Sequence, residues 1–167
     1  EIATASYGQG ISMTPIQTIR ALAILANGGN LVKPHLVKSI EYENGKAKDI
    51  DIEETRVLKK ESTDDVTNML INVVDKALKK GEAKMEHYSI AAKTGTAQIA
   101  DPVNGGYYKD RYLHSFFGYF PAYNPKFIVF LYHINPKNVE YASATLTDPF
   151  IQLTKFLINY YEIPPDR

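Results

Sequence analysis

At 167 residues the chain has the length of one domain. Lys+Arg and Asp+Glu both total 19, so it has no formal net charge, and a surface built for nucleic acid or another polyanion is not expected. The 44% hydrophobic and 23% charged composition is ordinary for a globular domain. No apolar run approaches the ~20 residues of a membrane span, and the absence of cysteine excludes a disulfide framework and any thiolate metal site while leaving the compartment open. The sequence starts at Glu1 without an initiator Met, so an export signal or membrane anchor is expected upstream.

In chain order, Gly8-Gln9-Gly10 reads as a plain loop rather than a phosphate loop, since no Gly-Lys-Ser/Thr follows and no strand precedes it. Thr14-Pro15-Ile16-Gln17 then has the grammar of a helix start: a capping threonine, proline at the first helical position, and a glutamine that can close a capping box. This helix is predicted to run to Ala26, where Asn27-Gly28-Gly29 stops it, and its wide apolar face predicts a largely buried element. Leu36–Tyr42 and a return strand after Asn44-Gly45 predict a peripheral hairpin. A second helix is predicted to start after Ser62 and to end at Gly81, with Val66, Met69, Leu70, Val73, Ala77 and Leu78 at helical spacing. Its Asp64 and Asp65 fall in the first turn and Lys76, Lys79 and Lys80 in the last, matching the helix dipole as solvated charges.

Three strands are predicted next, at Tyr88–Ile99, Tyr112–Tyr119 and Phe127–Ile134. The last two are joined by the short turn Asn124-Pro125-Lys126. Asp101–Lys109, polar and rich in glycine and tyrosine, is read as the most mobile loop; its Tyr107 and Tyr108 either line the rim of a cleft or pack on each other. A third helix is predicted from Asp148-Pro149, with Phe150, Leu153, Leu157, Tyr160 and Tyr161 as its apolar stripe, ending at Ile163-Pro164-Pro165. The expected class is α+β, an antiparallel sheet with packed helices.

The chemistry is expected at Lys93-Thr94-Gly95-Thr96, set among the small residues Ala91, Ala92 and Ala97. A strand interior rarely chooses glycine unless a ligand or another backbone must come close. Lys93 offers a cation to a carboxylate, Thr94 and Thr96 offer hydroxyl donors to the same anion, and Gly95 removes the side chain that would block an extended substrate. An edge strand here could take a peptide as an added strand, with the Thr96 N–H aimed at a developing oxyanion. Strict alternation splits Lys93 and Gly95 from Thr94 and Thr96. His114 and Ser115 are taken as structural, because adjacent strand residues point to opposite faces and cannot pair as base and nucleophile. His35, His87 and His133 have no metal-ligand spacing, and neither metal nor cofactor is expected.

At this point the sequence resembles the penicillin-binding proteins, whose superfamily carries K-T-G together with S-x-x-K and S-D-N. The resemblance extends through Ala3–Gln17, through His114-Ser115-Phe116-Phe117-Gly118-Tyr119-Phe120-Pro121-Ala122 with Asn124-Pro125-Lys126, and to Ile163-Pro164-Pro165. These segments are similar to the class B, division-type branch. It implies the transpeptidase fold that this family shares with the serine β-lactamases, with residues 1–167 as the C-terminal part of the transpeptidase domain. It also implies a serine that attacks the penultimate D-Ala carbonyl of a peptidoglycan stem peptide, loss of D-Ala, and resolution of the acyl-enzyme by an amine from a neighbouring stem. β-Lactams would trap that acyl-enzyme. By the resemblance, Lys93, Thr94 and Thr96 hold the terminal carboxylate, Thr96 also supplies one backbone oxyanion donor, and Gly95 admits the substrate. Neither Ser-x-x-Lys nor Ser-x-Asn occurs in these residues, so the nucleophile is expected upstream and the chain alone is expected to be inactive. The implied partners are the D-Ala-D-Ala end of the stem peptide, β-lactams, the remainder of the same protein, which is expected to supply a neighbour for the Phe127–Ile134 strand, and divisome proteins. The implied place is the outer face of the bacterial cell membrane. Septal, elongation- or sporulation-type synthesis and β-lactam sensing stay open within the family, and a non-catalytic scaffold stays open outside it.

Overall fold

The structure, a computed structural model, describes residues 2–167. Its centre is a three-stranded antiparallel sheet in the order β5-β6-β7, formed by β5 (Ala91–Ala100), β6 (Tyr107–Phe120) and β7 (Phe127–Ile134). Ahead of it run a short helix α1 (Ile2–Ala5), helix α2 (Pro15–Ala26), four three-residue strands and helix α3 (Lys60–Asn72); helix α4 (Ala142–Tyr160) follows it. The antiparallel sheet with helices packed on it is the α+β class expected from the sequence.

The sheet is covered on both faces. Phe116 and Phe120 of β6 and Ala92 of β5 point to one side, where Leu146, Phe150 and Ile158 of α4 complete a core with Val74, Leu78 and Ile90. Phe116 stacks on Phe150 with ring centroids 4.4 Å apart. Gly118 makes that approach possible: a Cβ there would lie 2.5 Å from Phe150 Cζ and 2.8 Å from Ala92 Cβ. On the opposite face Ala91, Tyr119 and Ala122 pack with Leu70 and Ile71 of α3, and Leu25 and Ala26 of α2 close over them. The buried Tyr119 hydroxyl meets Thr67 Oγ1 at 2.7 Å, and burial pushes the phenol pKa up.

Helix α2 starts and stops as the sequence predicts, with a complete Thr14–Gln17 capping box. None of its residues is buried, however, because only one side of it meets β1, α3 and β7. The predicted hairpin forms as β2 (Ser39–Glu41) with β3 (Ala47–Asp49). The pairing of β1 (Asn30–Val32) with β4 (Glu54–Arg56) is not foreseen by the sequence reading, since three residues are too few to carry a period-two pattern.

The second predicted helix needs correction at both ends. It begins at Lys60 rather than after Ser62, and beyond Asn72 it loosens into a π-helical turn (Val73–Ala77) and a 3-10 turn (Leu78–Gly81). Lys79 and Lys80 adopt left-handed φ of 49° and 58°, so they leave the helix axis instead of complementing its dipole, and Lys79 pairs with Asp148 of α4. The loop expected at Asp101–Lys109 is shorter and contains a hydrogen-bonded turn. Strand β6 already begins at Tyr107, and the Asp101 carboxylate accepts the N–H groups of Val103 and Asn104 at 2.9 and 3.1 Å. Side-chain and backbone hydrogen bonds from Asn104, with that from Val103, hold the Asp101 pKa below the ordinary carboxylate value. Tyr108 takes the guanidinium of Arg111 over its ring at 4.0 Å.

The third predicted helix begins at Ala142, not at Asp148-Pro149, and Pro149 lies inside it. Proline at the first helical position is a strong local signal, but tertiary contacts override it here. Tyr141, the residue before the helix, makes no side-chain cap. The N–H of Ala142 is instead accepted by Thr96 Oγ1 at 3.0 Å, and the carbonyl of Glu140 accepts from His114 Nε2 at 2.8 Å. Strand β5 and strand β6 thus supply the first turn that the local sequence lacks.

Candidate active site

Strand β5 is one edge of the sheet, and Lys93, Thr94, Gly95 and Thr96 lie on it. Register pairs Lys93 with Phe117, Thr94 with Phe116, Gly95 with Ser115 and Thr96 with His114. Cross-strand partners share a face. Thr94 and Thr96 therefore point to the α4 side, with the Phe116 ring and His114, whereas Lys93 and Gly95 point to the α2/α3 side. The split expected from alternation is present, and what brings the four together is the open edge.

The backbone alternates in the same way. Ser115 Oγ donates to the Gly95 carbonyl at 3.4 Å, which turns that carbonyl toward β6. By the two-residue repeat of an antiparallel strand, the N–H and C=O groups of Thr94 and Thr96 face outward. Lys93 Nζ reaches round to the Thr94 carbonyl at 2.8 Å, which agrees with that direction. Lys93 and Thr96 are exposed, while Thr94 and Gly95 are half-buried. The edge thus presents an ammonium, two hydroxyls and two outward N–H groups along four residues. That is a donor set for a carboxylate at one end of an extended peptide and for an oxyanion beside it.

Gly95 has a requirement that the sequence does not reveal. A Cβ at this position would lie 2.6 Å from Ser115 Oγ, so the cross-strand serine already fills the space on that face. The Thr94 hydroxyl has no hydrogen-bond partner among the described residues, whereas the Thr96 oxygen accepts the Ala142 N–H and keeps its own proton free to donate.

His114 and Ser115 do not form a catalytic pair. His114 is fully buried, its ring nitrogens 2.8 Å from Thr145 Oγ1 and the Glu140 carbonyl. What the sequence reading misses is the link from this histidine to Thr96 through the first turn of α4. Placing His114 opposite Thr96 in the strand register would have exposed it. Gly8 and Gly10 take positive φ of 87° and 71° in the loop after α1, as turn residues do. A Cβ on Gly10 would sit 3.6 Å from the Tyr107 hydroxyl, which places that loop beside the far end of β5 and β6. Among the described residues no three His, Cys, Asp or Glu side chains gather as a metal site, and no helix is long and apolar enough to cross a membrane.

Comparison with known proteins agrees with this geometry. Residues 1–153 match the family described as penicillin binding protein transpeptidase domain. The chain is 32% identical over 154 residues to stage V sporulation protein D of Bacillus subtilis, covering 90% of this chain and 23% of that protein. It is 29% identical over 168 residues to peptidoglycan D,D-transpeptidase FtsI of Buchnera aphidicola, covering all of this chain and 28% of that one. Among solved structures, penicillin binding protein 3 of Mycobacterium tuberculosis complexed with aztreonam superposes with a TM-score of 0.82 at 27% identity, covering 99% of this chain and 39% of the other. The chain thus spans only 23% to 39% of the length of these relatives. With the whole sheet and its edge strand inside the matched region, the chain belongs to the penicillin-binding protein transpeptidase domain family.

Proposed function

We propose that residues 1–167 are the C-terminal part of a serine-type peptidoglycan D,D-transpeptidase and supply the wall of its cleft that holds the substrate's terminal carboxylate. The observation that carries this reading is the open β5 edge, along which Lys93, Thr94 and Thr96 lie within four residues and the N–H of Thr96 faces outward. In this role Lys93 and the two threonine hydroxyls bind the carboxylate of a D-Ala-D-Ala end, Gly95 lets the peptide lie against the strand, and the Thr96 N–H stabilises the oxyanion. The attacking serine comes from the upstream part of the protein. It expels D-Ala as it forms the acyl-enzyme, and an amine of a neighbouring stem peptide then takes the acyl group. β-Lactams present an anionic group (a carboxylate in the penicillins, a sulfonate in aztreonam) beside an acylating carbonyl; the complexes of Mycobacterium tuberculosis penicillin binding protein 3 with aztreonam and with ampicillin support β-lactam binding. The work belongs on the outer face of the bacterial membrane, anchored by the upstream part, with divisome proteins as partners.

Septal synthesis is the reading we favour, on the similarity to FtsI proteins. A sporulation-type role is the second, on the 32% identity to stage V sporulation protein D. Labelling with a fluorescent penicillin tests the activity. The intact protein that carries this chain is expected to form a covalent adduct detectable by mass spectrometry, and residues 1–167 alone are expected to form none. An unlabelled intact protein, or an adduct on the chain alone, would overturn the reading.

A further inference from the structure

We propose that His114 and Thr145 are positioning residues that aim the Thr96 hydroxyl at the substrate's carboxylate, an inference that rests on the carboxylate role proposed for Thr96. His114 stands directly opposite Thr96 in the β5–β6 register and is fully buried. It grips the start of α4 at two points, the Glu140 carbonyl and Thr145 Oγ1, each at 2.8 Å. A carbonyl can only accept, so Nε2 carries a proton and Nδ1 faces the Thr145 hydroxyl. Thr145 Oγ1 also lies 3.3 Å from the Ala142 carbonyl, one turn back along the helix. Glu140 and Thr145, on either side of Ala142, are thereby tied to one ring, which holds the turn that carries the Ala142 N–H; the single Thr145 proton serves either Nδ1 or the Ala142 carbonyl. That N–H donates to Thr96 Oγ1 at 3.0 Å.

The consequence for Thr96 is directional. A hydroxyl has one proton to donate and two lone pairs. With one lone pair taken by the Ala142 N–H, the hydroxyl is oriented and its proton is left for an acceptor in the cleft. Held in this way before the substrate arrives, the donor needs little reorganisation on binding, which is the general advantage of a preorganised site. No side-chain cap from Tyr141 competes for the position, so the alignment depends on the strand-borne contacts.

Thr145→Val in the intact protein removes the hydroxyl with little change of shape, and Thr145→Ala does so with a better helix former. Thr145 is only half-buried, which makes both substitutions mild. The readout is the ratio of acylation rates for benzylpenicillin and for its methyl ester, which lacks the anionic carboxylate. Both variants are expected to lower that ratio by roughly 2- to 12-fold, the span of one misdirected hydrogen bond, while Thr145→Ser retains the parent ratio. A merely structural role would slow both compounds by the same factor. An unchanged ratio in the two variants, or equal slowing of ester and acid, would overturn the inference while leaving the carboxylate site standing. A parent protein that neither compound acylates would instead remove the proposed function, and this inference with it.

Discussion

Replacing Gly95 with alanine separates two demands made on one position. The new Cβ would lie 2.6 Å from Ser115 Oγ, closer than side chains tolerate, so the serine hydroxyl must rotate and give up its 3.4 Å contact with the Gly95 carbonyl. That loss is worth about 0.5–1.5 kcal/mol. Gly95 does not sit in the left-handed region, so alanine also restricts the unfolded chain and returns about 0.4–1 kcal/mol. The two nearly cancel, and the net change in stability should stay within about 1 kcal/mol. Acylation should respond differently. A methyl on the strand face where a peptide must lie close acts as overpacking, typically about 1–3 kcal/mol, or roughly 5- to 150-fold in rate. The assay pairs denaturant unfolding with penicillin acylation for Gly95→Ala and for Gly95→Ala with Ser115→Ala. The second substitution is expected to relieve the crowding and restore any lost stability without restoring acylation. Recovery of acylation in the double variant would show that the glycine serves only the fit of β5 against β6, and would refute its role in substrate approach.

Packing and ion pairing away from the β5 edge give three further expectations, all read as shifts in the unfolding of the intact protein. Gly118→Ala should cost at least about 1–3 kcal/mol, because its Cβ meets Phe150 Cζ at 2.5 Å and the Ala91 carbonyl at 3.0 Å in a fully packed core; a loss under ~0.5 kcal/mol would mean the helix slides freely on the sheet. Tyr119→Phe removes a hydroxyl bonded to Thr67 at 2.7 Å and should cost about 0.5–1.5 kcal/mol at neutral pH. Burial raises the folded pKa of Tyr119, so its share of stability is complete below the unfolded phenol value of about 10 and declines as pH rises through the folded one. The variant should therefore lose less stability than the parent in that alkaline window, and parallel pH profiles would contradict the assignment. Arg167→Ala breaks a two-point contact with Asp75 at 2.5 and 2.9 Å, together with a 2.6 Å bond to the Met85 carbonyl. Because the pair is only partly exposed, at 23% and 16%, a loss of about 1–2 kcal/mol is expected after allowance for screening; under ~0.5 kcal/mol the contact would rank with ordinary surface pairs.

The sequence makes some of these features visible and hides others for physical reasons. The α2 capping box and the turn between β6 and β7 are local signals, carried by two to four adjacent residues, and both appear where expected. Lys93-Thr94-Gly95-Thr96 is visible because its composition is wrong for an ordinary strand interior. The start of α4 is not visible, since its first turn is held by Thr96 and His114 from distant strands, and Pro149 offers a misleading local alternative. The loosened end of α3 is hidden likewise: Lys79 and Lys80 look like helix-end charges until left-handed geometry and the Asp148 partner are seen. The second reason for Gly95, the serine across the strand, depends on register, which residue types alone do not settle.

The central claim is that the β5 edge holds a substrate carboxylate, and Lys93 carries its only full charge. Lys93 is exposed and, among the described residues, bonds only the neighbouring Thr94 carbonyl, so its removal should leave the fold intact. A charge-assisted contact of about 1.5–3 kcal/mol predicts that Lys93→Ala slows acylation of the intact protein by roughly 10- to 150-fold. The measurement is the rate of penicilloyl adduct formation by mass spectrometry, parent against variant, with unfolding midpoints matched. A rate reduced within that span is the predicted result. An unchanged rate in a folded variant would place Lys93 away from the substrate and contradict the account.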